Sequence, residues 1–161
     1  MPYNRDEWLP DWADADSDCQ NARHEVLIAE ADGPLTYGSG NCIVVAGTWN
    51  DPYTGSTFTL ASDLDIDHMV PLADAHRSGG WTWTTAKKQA YANDLEQPET
   101  LIAVDDGSNS SKSDRSPDQW LPPNGSYRCT YVIEWVSVKV TWALTVTDAE
   151  RSTLNSSLAG C

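Results

Sequence analysis

Two short clusters restrict what this chain can fold into more than anything else in it. The first is Asp65-Ile66-Asp67-His68-Met69-Val70-Pro71-Leu72, and about forty residues on comes Asn109-Ser110-Ser111-Lys112-Ser113-Asp114. Asp67-His68 sets a hard oxygen ligand beside the one side chain that titrates near neutral pH. Asn109 offers a second, neutral oxygen, and Lys112 a point charge suited to phosphate. Between the clusters, Leu101-Ile102-Ala103-Val104 is a short apolar run that reads as a buried strand. The pattern predicts a strand carrying Asp-His, a second strand, and an Asn that opens a short helix.

That layout is the ββα-metal finger, and the chain resembles the HNH (His-Me finger) nucleases. More narrowly it resembles secreted bacterial and fungal HNH nucleases with a DIDHxVPL…LIAV…N-x-S-K-x-D…WLPP pattern, whose last motif here is Trp120-Leu121-Pro122-Pro123. The resemblance extends over nearly the whole chain. It implies an α+β fold: a single compact domain over residues 1–161 with the ββα-metal core at about 62–120, a β-hairpin, flanking helices including C-terminal ones at about 127–159, and two disulfides. It also implies a metal-dependent, largely sequence-nonspecific endonuclease acting on DNA, with RNA as a further substrate. His68 would be the general base, and Asp67 and Asn109 would hold one divalent metal through oxygen, which favours Mg²⁺, then Mn²⁺.

Other positions carry two readings each. Asp65 either orients the site as a hydrogen-bond acceptor or merely ends a strand, and Lys112 either neutralises substrate phosphate or caps its helix. Arg23 either approaches the scissile phosphate or pairs with Glu25 and the acidic turn; Arg77 either clamps a phosphate or pairs with Asp74. Lys87 and Lys88, with Arg77, form one of the few basic clusters and are candidates for backbone contacts. The chain departs from the HNH pattern at Thr100, where a middle Asn is usual, and at Ser110, where an Arg is common. Thr can still make a hydrogen bond; the missing Arg removes one phosphate contact.

Along the chain, Asp18 or Asn21 can cap a helix running to about Ala31. Asp14, Asp16, Asp18 and Glu25 match part of a calcium loop at positions one, three, five and twelve, but Cys19 occupies the place of the turn glycine; the plain alternative is a solvated acidic turn. Cys42–Trp49 and Thr57–Leu60 read as a hairpin around Asp51-Pro52-Tyr53-Thr54-Gly55, which the resemblance makes scaffold. Pro71 opens a helix over 72–77 that ends at Gly79-Gly80, and Thr84-Thr85 starts another through Lys87, Lys88 and Tyr91. Residues 127–144 alternate like a strand at Val136, Val138, Val140 and Trp142, whereas the resemblance favours helix. Thr147-Asp148-Ala149-Glu150 is a capping box for a last helix.

Four cysteines, Cys19, Cys42, Cys129 and Cys161, lack zinc-site spacing and suggest two disulfides among three connectivities. Cys19–Cys42 with Cys129–Cys161 is preferred, because each pair closes a local loop and ties down a terminus. Disulfides point to an oxidising, extracellular destination. Met1–Arg5 shows no apolar stretch after its charge, so an export leader is expected to have been removed ahead of Met1. No apolar run reaches bilayer length, and neither a membrane nor an obligatory protein partner is expected; the chain is expected to be a monomer. The net charge of −14, from 24 acidic against 10 basic residues, is the wrong sign for holding a polyanion by bulk electrostatics. A nuclease of this composition must rely on local positive charge. The alternatives are an extracellular binding module stabilised by Ca²⁺ with a degenerate HNH site, and an HNH toxin that needs an immunity partner.

Overall fold

The computed structural model describes residues 2–161. Its α-helical structure begins after Asn21, whose side chain accepts from the His24 N–H and caps α1 (Ala22–Ala29), two residues short of the expected end. A two-residue strand β1 (Thr36–Tyr37) then pairs antiparallel with β2 (Val44–Asn50), which pairs in turn with β3 (Thr57–Leu60). The β2–β3 hairpin turns at Gly55, where φ is +77° and a side chain would be strained.

The second sheet has two strands, β4 (Leu64–His68) and β5 (Leu101–Asp105), paired antiparallel with Asp65 opposite Val104, Asp67 opposite Ile102 and His68 opposite Leu101. This register fixes which side chains share a face. Leu64 and Ile66, with Leu101 and Ala103, pack on Val26, Leu27, Val44 and Trp49. On the other face Ile102 and Val104 join a larger core with Trp8, Tyr53, Tyr91, Tyr131 and Trp135. Asp65 and Asp67 lie on that second face.

Between these strands run α2 (Leu72–Arg77) and α3 (Thr85–Ala92), the latter capped by Thr84. After β5 comes α4 (Asp106–Lys112), which contacts both strands of the sheet. Asp105 is its cap, accepting from the Ser108 N–H at 2.7 Å. Asn109 therefore stands on the second turn and does not open the helix, since an Asp four residues earlier already satisfies the free N–H groups.

Residues 128–141 form helix α5 (Arg128–Thr141), which decides the ambiguous stretch. Tyr131, Val132, Trp135 and Val138 are buried at helical spacing, while Val140, on the same face of a hypothetical strand as Val138, is 74% exposed. α6 (Asp148–Ala159) begins with the Thr147/Glu150 capping box. Lys139 on α5 is buried between Asp74 of α2 at 2.6 Å and Glu150 of α6 at 3.2 Å, joining the three helices. Cys19–Cys42 and Cys129–Cys161 form the two disulfides. Among the described residues no helix is long and apolar enough to cross a membrane.

Candidate active site

A cleft of about 310 Å³ opens at the end of β4, lined by Tyr3, Arg5, Asp67, His68, Asn109 and Asp114 among others. Asp67 and His68 are neighbours in a strand and so leave it on opposite faces. Serving one site from opposite faces would call for a backbone turn between them. There is none: His68 still pairs with Leu101, and the cleft reaches both side chains because the strand ends there.

His68 is held from two directions. Its Nε2 lies 2.9 Å from the carbonyl oxygen of Ala92, at the end of α3. A carbonyl can only accept, so Nε2 carries the proton of the neutral ring and Nδ1 is left as the acceptor. Trp12 stacks on the imidazole with an interplanar angle of 4° and ring centroids 5.7 Å apart. Burial, with smaller contributions from Lys112 and Arg5 opposed by the Ala92 hydrogen bond, pushes the imidazole down to about 4. The His68 imidazole is thus neutral across the physiological range.

Asp67 is buried and held as firmly. Its Oδ2 accepts from the Tyr53 hydroxyl at 2.5 Å and from Lys112 Nζ at 2.5 Å. Lys112 is fully buried and donates as well to the carbonyls of His68 (2.8 Å) and Met69 (3.0 Å), so all three ammonium protons have partners. Burial drives both members of this pair towards neutrality, Asp67 up and Lys112 down. Their contact and the full set of hydrogen bonds oppose that drive. Lys112 therefore neither caps α4 nor reaches into solvent; it holds Asp67.

Asn109 Nδ2 donates to Asp65 Oδ2 at 2.9 Å, a contact between α4 and β4. This orients the amide and leaves Asn109 Oδ1 without that bond. Of the two readings of Asp65, the geometry gives the orienting one. Asp67 Oδ1 and Asn109 Oδ1 are the hard oxygens these two side chains can offer a divalent cation. That donor set, a carboxylate and an amide with no sulfur, fits Mg²⁺ or Mn²⁺.

The model for the C-terminal domain of GmrSD restriction endonucleases matches residues 22–155. The chain belongs to this family. A protein of Arthroderma benhamiae named "uncharacterized secreted protein" is 46% identical over 159 residues, which cover 99% of this chain and 76% of that one. No solved structure matches the chain. The span matched to the GmrSD C-terminal domain contains Asp65, Asp67, His68, Asn109 and Lys112.

The remaining positions singled out in the sequence go elsewhere. Thr100 is fully buried, donates to Asp94 Oδ2 at 2.9 Å and accepts from the Met69 N–H through its carbonyl, so it ties the loop before β5 to the end of β4 without lining the cleft. Arg23 donates to the carbonyls of Ala61 and Leu64 at 3.0 and 2.8 Å, which bolts α1 to the start of β4. Those carbonyls, and not Glu25, are its partners, and Arg23 does not line the cleft. The expected basic cluster is dispersed. Arg77 forks onto Asp114, Lys87 lies over the Trp83 ring, and Lys88 is buried against Glu7 at 2.5 Å. None of the three lines the cleft. Asp14, Asp16 and Asp18 bring ligand atoms within 4.8 Å of one another, and Glu25 is not part of that group. Their oxygens accept from the N–H groups of Cys19, Asp18 and Gln20, the bonding of a solvated turn.

Sequence reasoning placed the hairpin turn but took it as scaffold and missed its contacts with the site. Asp51, 2% exposed, accepts from the Asp105 N–H at 3.2 Å and from Tyr53 and Thr54 in its own turn. Tyr53 reaches Asp67. One five-residue turn thus touches the strand bearing Asp67 and the cap of the helix bearing Asn109. The one available signal was a Tyr in a turn that Asp51 already shapes.

Proposed function

We propose that this member of the GmrSD C-terminal family is a secreted, metal-dependent endonuclease of the ββα-metal type. It hydrolyses phosphodiester bonds of DNA, and of RNA, with little regard to sequence. The observation that carries the reading is His68: a neutral imidazole with its proton fixed on Nε2 by Ala92, in one cleft with Asp67 and Asn109. Nδ1 of His68 takes the proton from the attacking water, a role that suits a base already deprotonated at neutral pH. Asp67 and Asn109 would hold one divalent cation, Mg²⁺ or Mn²⁺, through their side-chain oxygens. When bound, the cation supplies charge relief on the phosphate and on the departing oxygen. Tyr53 and Lys112 keep the Asp67 carboxylate oriented, Asp65 does the same for the Asn109 amide, and Trp12 keeps the imidazole plane in place. The two disulfides and the secreted relative support an extracellular destination.

A second reading draws on the Asp14–Asp16–Asp18 group: a Ca²⁺-stabilised binding module that cleaves nothing. The two separate when supercoiled plasmid and a structured RNA are incubated with the protein and Mg²⁺, Mn²⁺ or Ca²⁺, beside EDTA. Nicking that stops with EDTA and returns on adding excess Mg²⁺ supports the nuclease. Intact plasmid and RNA under every cation would leave the binding module.

A further inference from the structure

The segment ahead of residue 22 lies outside the span that the family's model matches, yet it forms part of the cleft. Trp8 and Leu9 are buried in the larger core, and Glu7 pairs with buried Lys88. Further on, the Ala13 N–H donates to Asn93 Oδ1 at 2.8 Å, and Trp12 stacks on His68. With the segment anchored at these points, the short turn Arg5–Glu7 sets Arg5 on the cleft wall with Asp67, His68 and Asn109.

Arg5 is the one Lys or Arg among the residues lining the cleft. Seven of the other cations are committed: Lys112 to Asp67, Lys139 to Asp74 and Glu150, Lys88 to Glu7, Arg77 to Asp114, Arg151 to Asp148, and Arg23 and Arg128 to backbone carbonyls. Lys87 lies over the Trp83 ring, and exposed Arg115 follows Asp114 without lining the cleft. Arg5 is exposed and forms no salt bridge among the described residues; its side chain hydrogen-bonds Tyr3, which lines the same cleft. A phosphodiester presented to His68 would meet the carboxylates of Asp67 and Asp114 in a chain of net charge −14. Such a site needs a cation aimed at the substrate.

We infer that Arg5, carried in by the N-terminal segment, is the phosphate-binding residue of this cleft. Its guanidinium takes a non-bridging oxygen of the nucleic-acid backbone beside His68, from outside the family's matched span. A planar fork suits this task, since it can grip two phosphate oxygens at once. The inference rests on the nuclease reading and goes further by assigning the substrate contact.

The test measures binding of a fluorescent duplex by anisotropy in EDTA, across salt concentrations, and plasmid cleavage with Mg²⁺, for wild type, Arg5→Ala, Arg5→Lys and Arg151→Ala. Arg151→Ala removes the same charge from an exposed pair on α6. Arg5→Ala should weaken binding roughly tenfold and reduce the slope of log K against log salt by about 0.9, the value of one phosphate contact. Arg5→Lys should keep the slope and recover part of the affinity. KM should rise more than kcat falls, and Arg151→Ala should behave as wild type. Thermal unfolding should be unchanged, because Arg5 is exposed. If wild type cleaves while Arg5→Ala keeps its affinity and slope, or loses no more than Arg151→Ala, the assignment of Arg5 is wrong and the nuclease reading stands. If wild type neither binds nor cleaves, both fall.

Discussion

Replacing Lys112 by Met separates a lysine that reaches for substrate from one that holds a carboxylate. The structure gives the second: Lys112 Nζ is 2.5 Å from Asp67 Oδ2, and the lysine is 0% exposed. Removing one member of a buried ion pair costs about 3–5 kcal/mol, because the other charge stays behind unpaired. The stranded carboxylate can escape by taking up a proton. From its ordinary value of 3.8, that costs about 4.4 kcal/mol at pH 7, taking about 1.36 kcal/mol per pH unit over 3.2 units. This caps the electrostatic loss and makes it pH-dependent. In the variant, the folded pKa of Asp67 lies above its unfolded one, so the folded state holds a proton that the unfolded state has released. The variant therefore loses stability as pH rises above about 4, by up to about 1.4 kcal/mol per unit. The carbonyls of His68 and Met69, left without a donor, add a pH-independent loss of about 1–2 kcal/mol. Urea unfolding of the oxidised protein in EDTA should thus show Lys112→Met destabilised by about 3–5 kcal/mol at pH 7 and by about 1–2 kcal/mol at pH 4. A cycle with Asp67→Asn should give a coupling above about 2 kcal/mol at pH 7. A loss below about 1 kcal/mol, flat with pH, is what an exposed lysine would give, and would refute the reasoning.

Two further expectations follow from the same geometry. Tyr53→Phe removes one donor from Asp67 and leaves Lys112 in place, so the fold should survive while Mn²⁺ affinity, read by calorimetry or EPR, falls roughly 10–100-fold; unchanged affinity would return Tyr53 to the scaffold. Because burial holds His68 down to about 4, cleavage at saturating metal should stay near its plateau from pH 8 to about pH 5.5. A rate that halves near pH 6.5, where an ordinary histidine loses its base form, would contradict the environment described for His68.

Elements whose signal is local were legible in the sequence. Thr147 and Glu150 announce a helix within four residues, and the apolar run at Leu101 marks a strand by itself. Asp67 and His68 were readable as a pair because they are adjacent, and Asn109 because a motif places it. The helix at 128–141 was readable from the resemblance and not from the valines, whose alternation fits a strand equally well until Trp135 and Tyr131 are seen to be buried. What could not be read was long-range. Lys112 looks like any helix-terminal lysine until β4, 45 residues earlier, closes over it. Tyr53 looks like a turn residue until its hydroxyl meets a carboxylate 14 positions on. Lys88 looked available for substrate because nothing local shows that Glu7, 81 residues away, covers it. Charge type is written in the sequence; which charges remain free is decided by packing.

The account stands most directly on His68. Its test is plasmid cleavage with Mg²⁺ by His68→Ala against wild type, with thermal unfolding of both to show that the variant is folded. Loss of about 10²–10⁴-fold in rate, the usual contribution of a positioned base, with the fold retained, is the predicted result. A folded variant that cleaves as fast as wild type would show that the base lies elsewhere, and the central claim would be wrong.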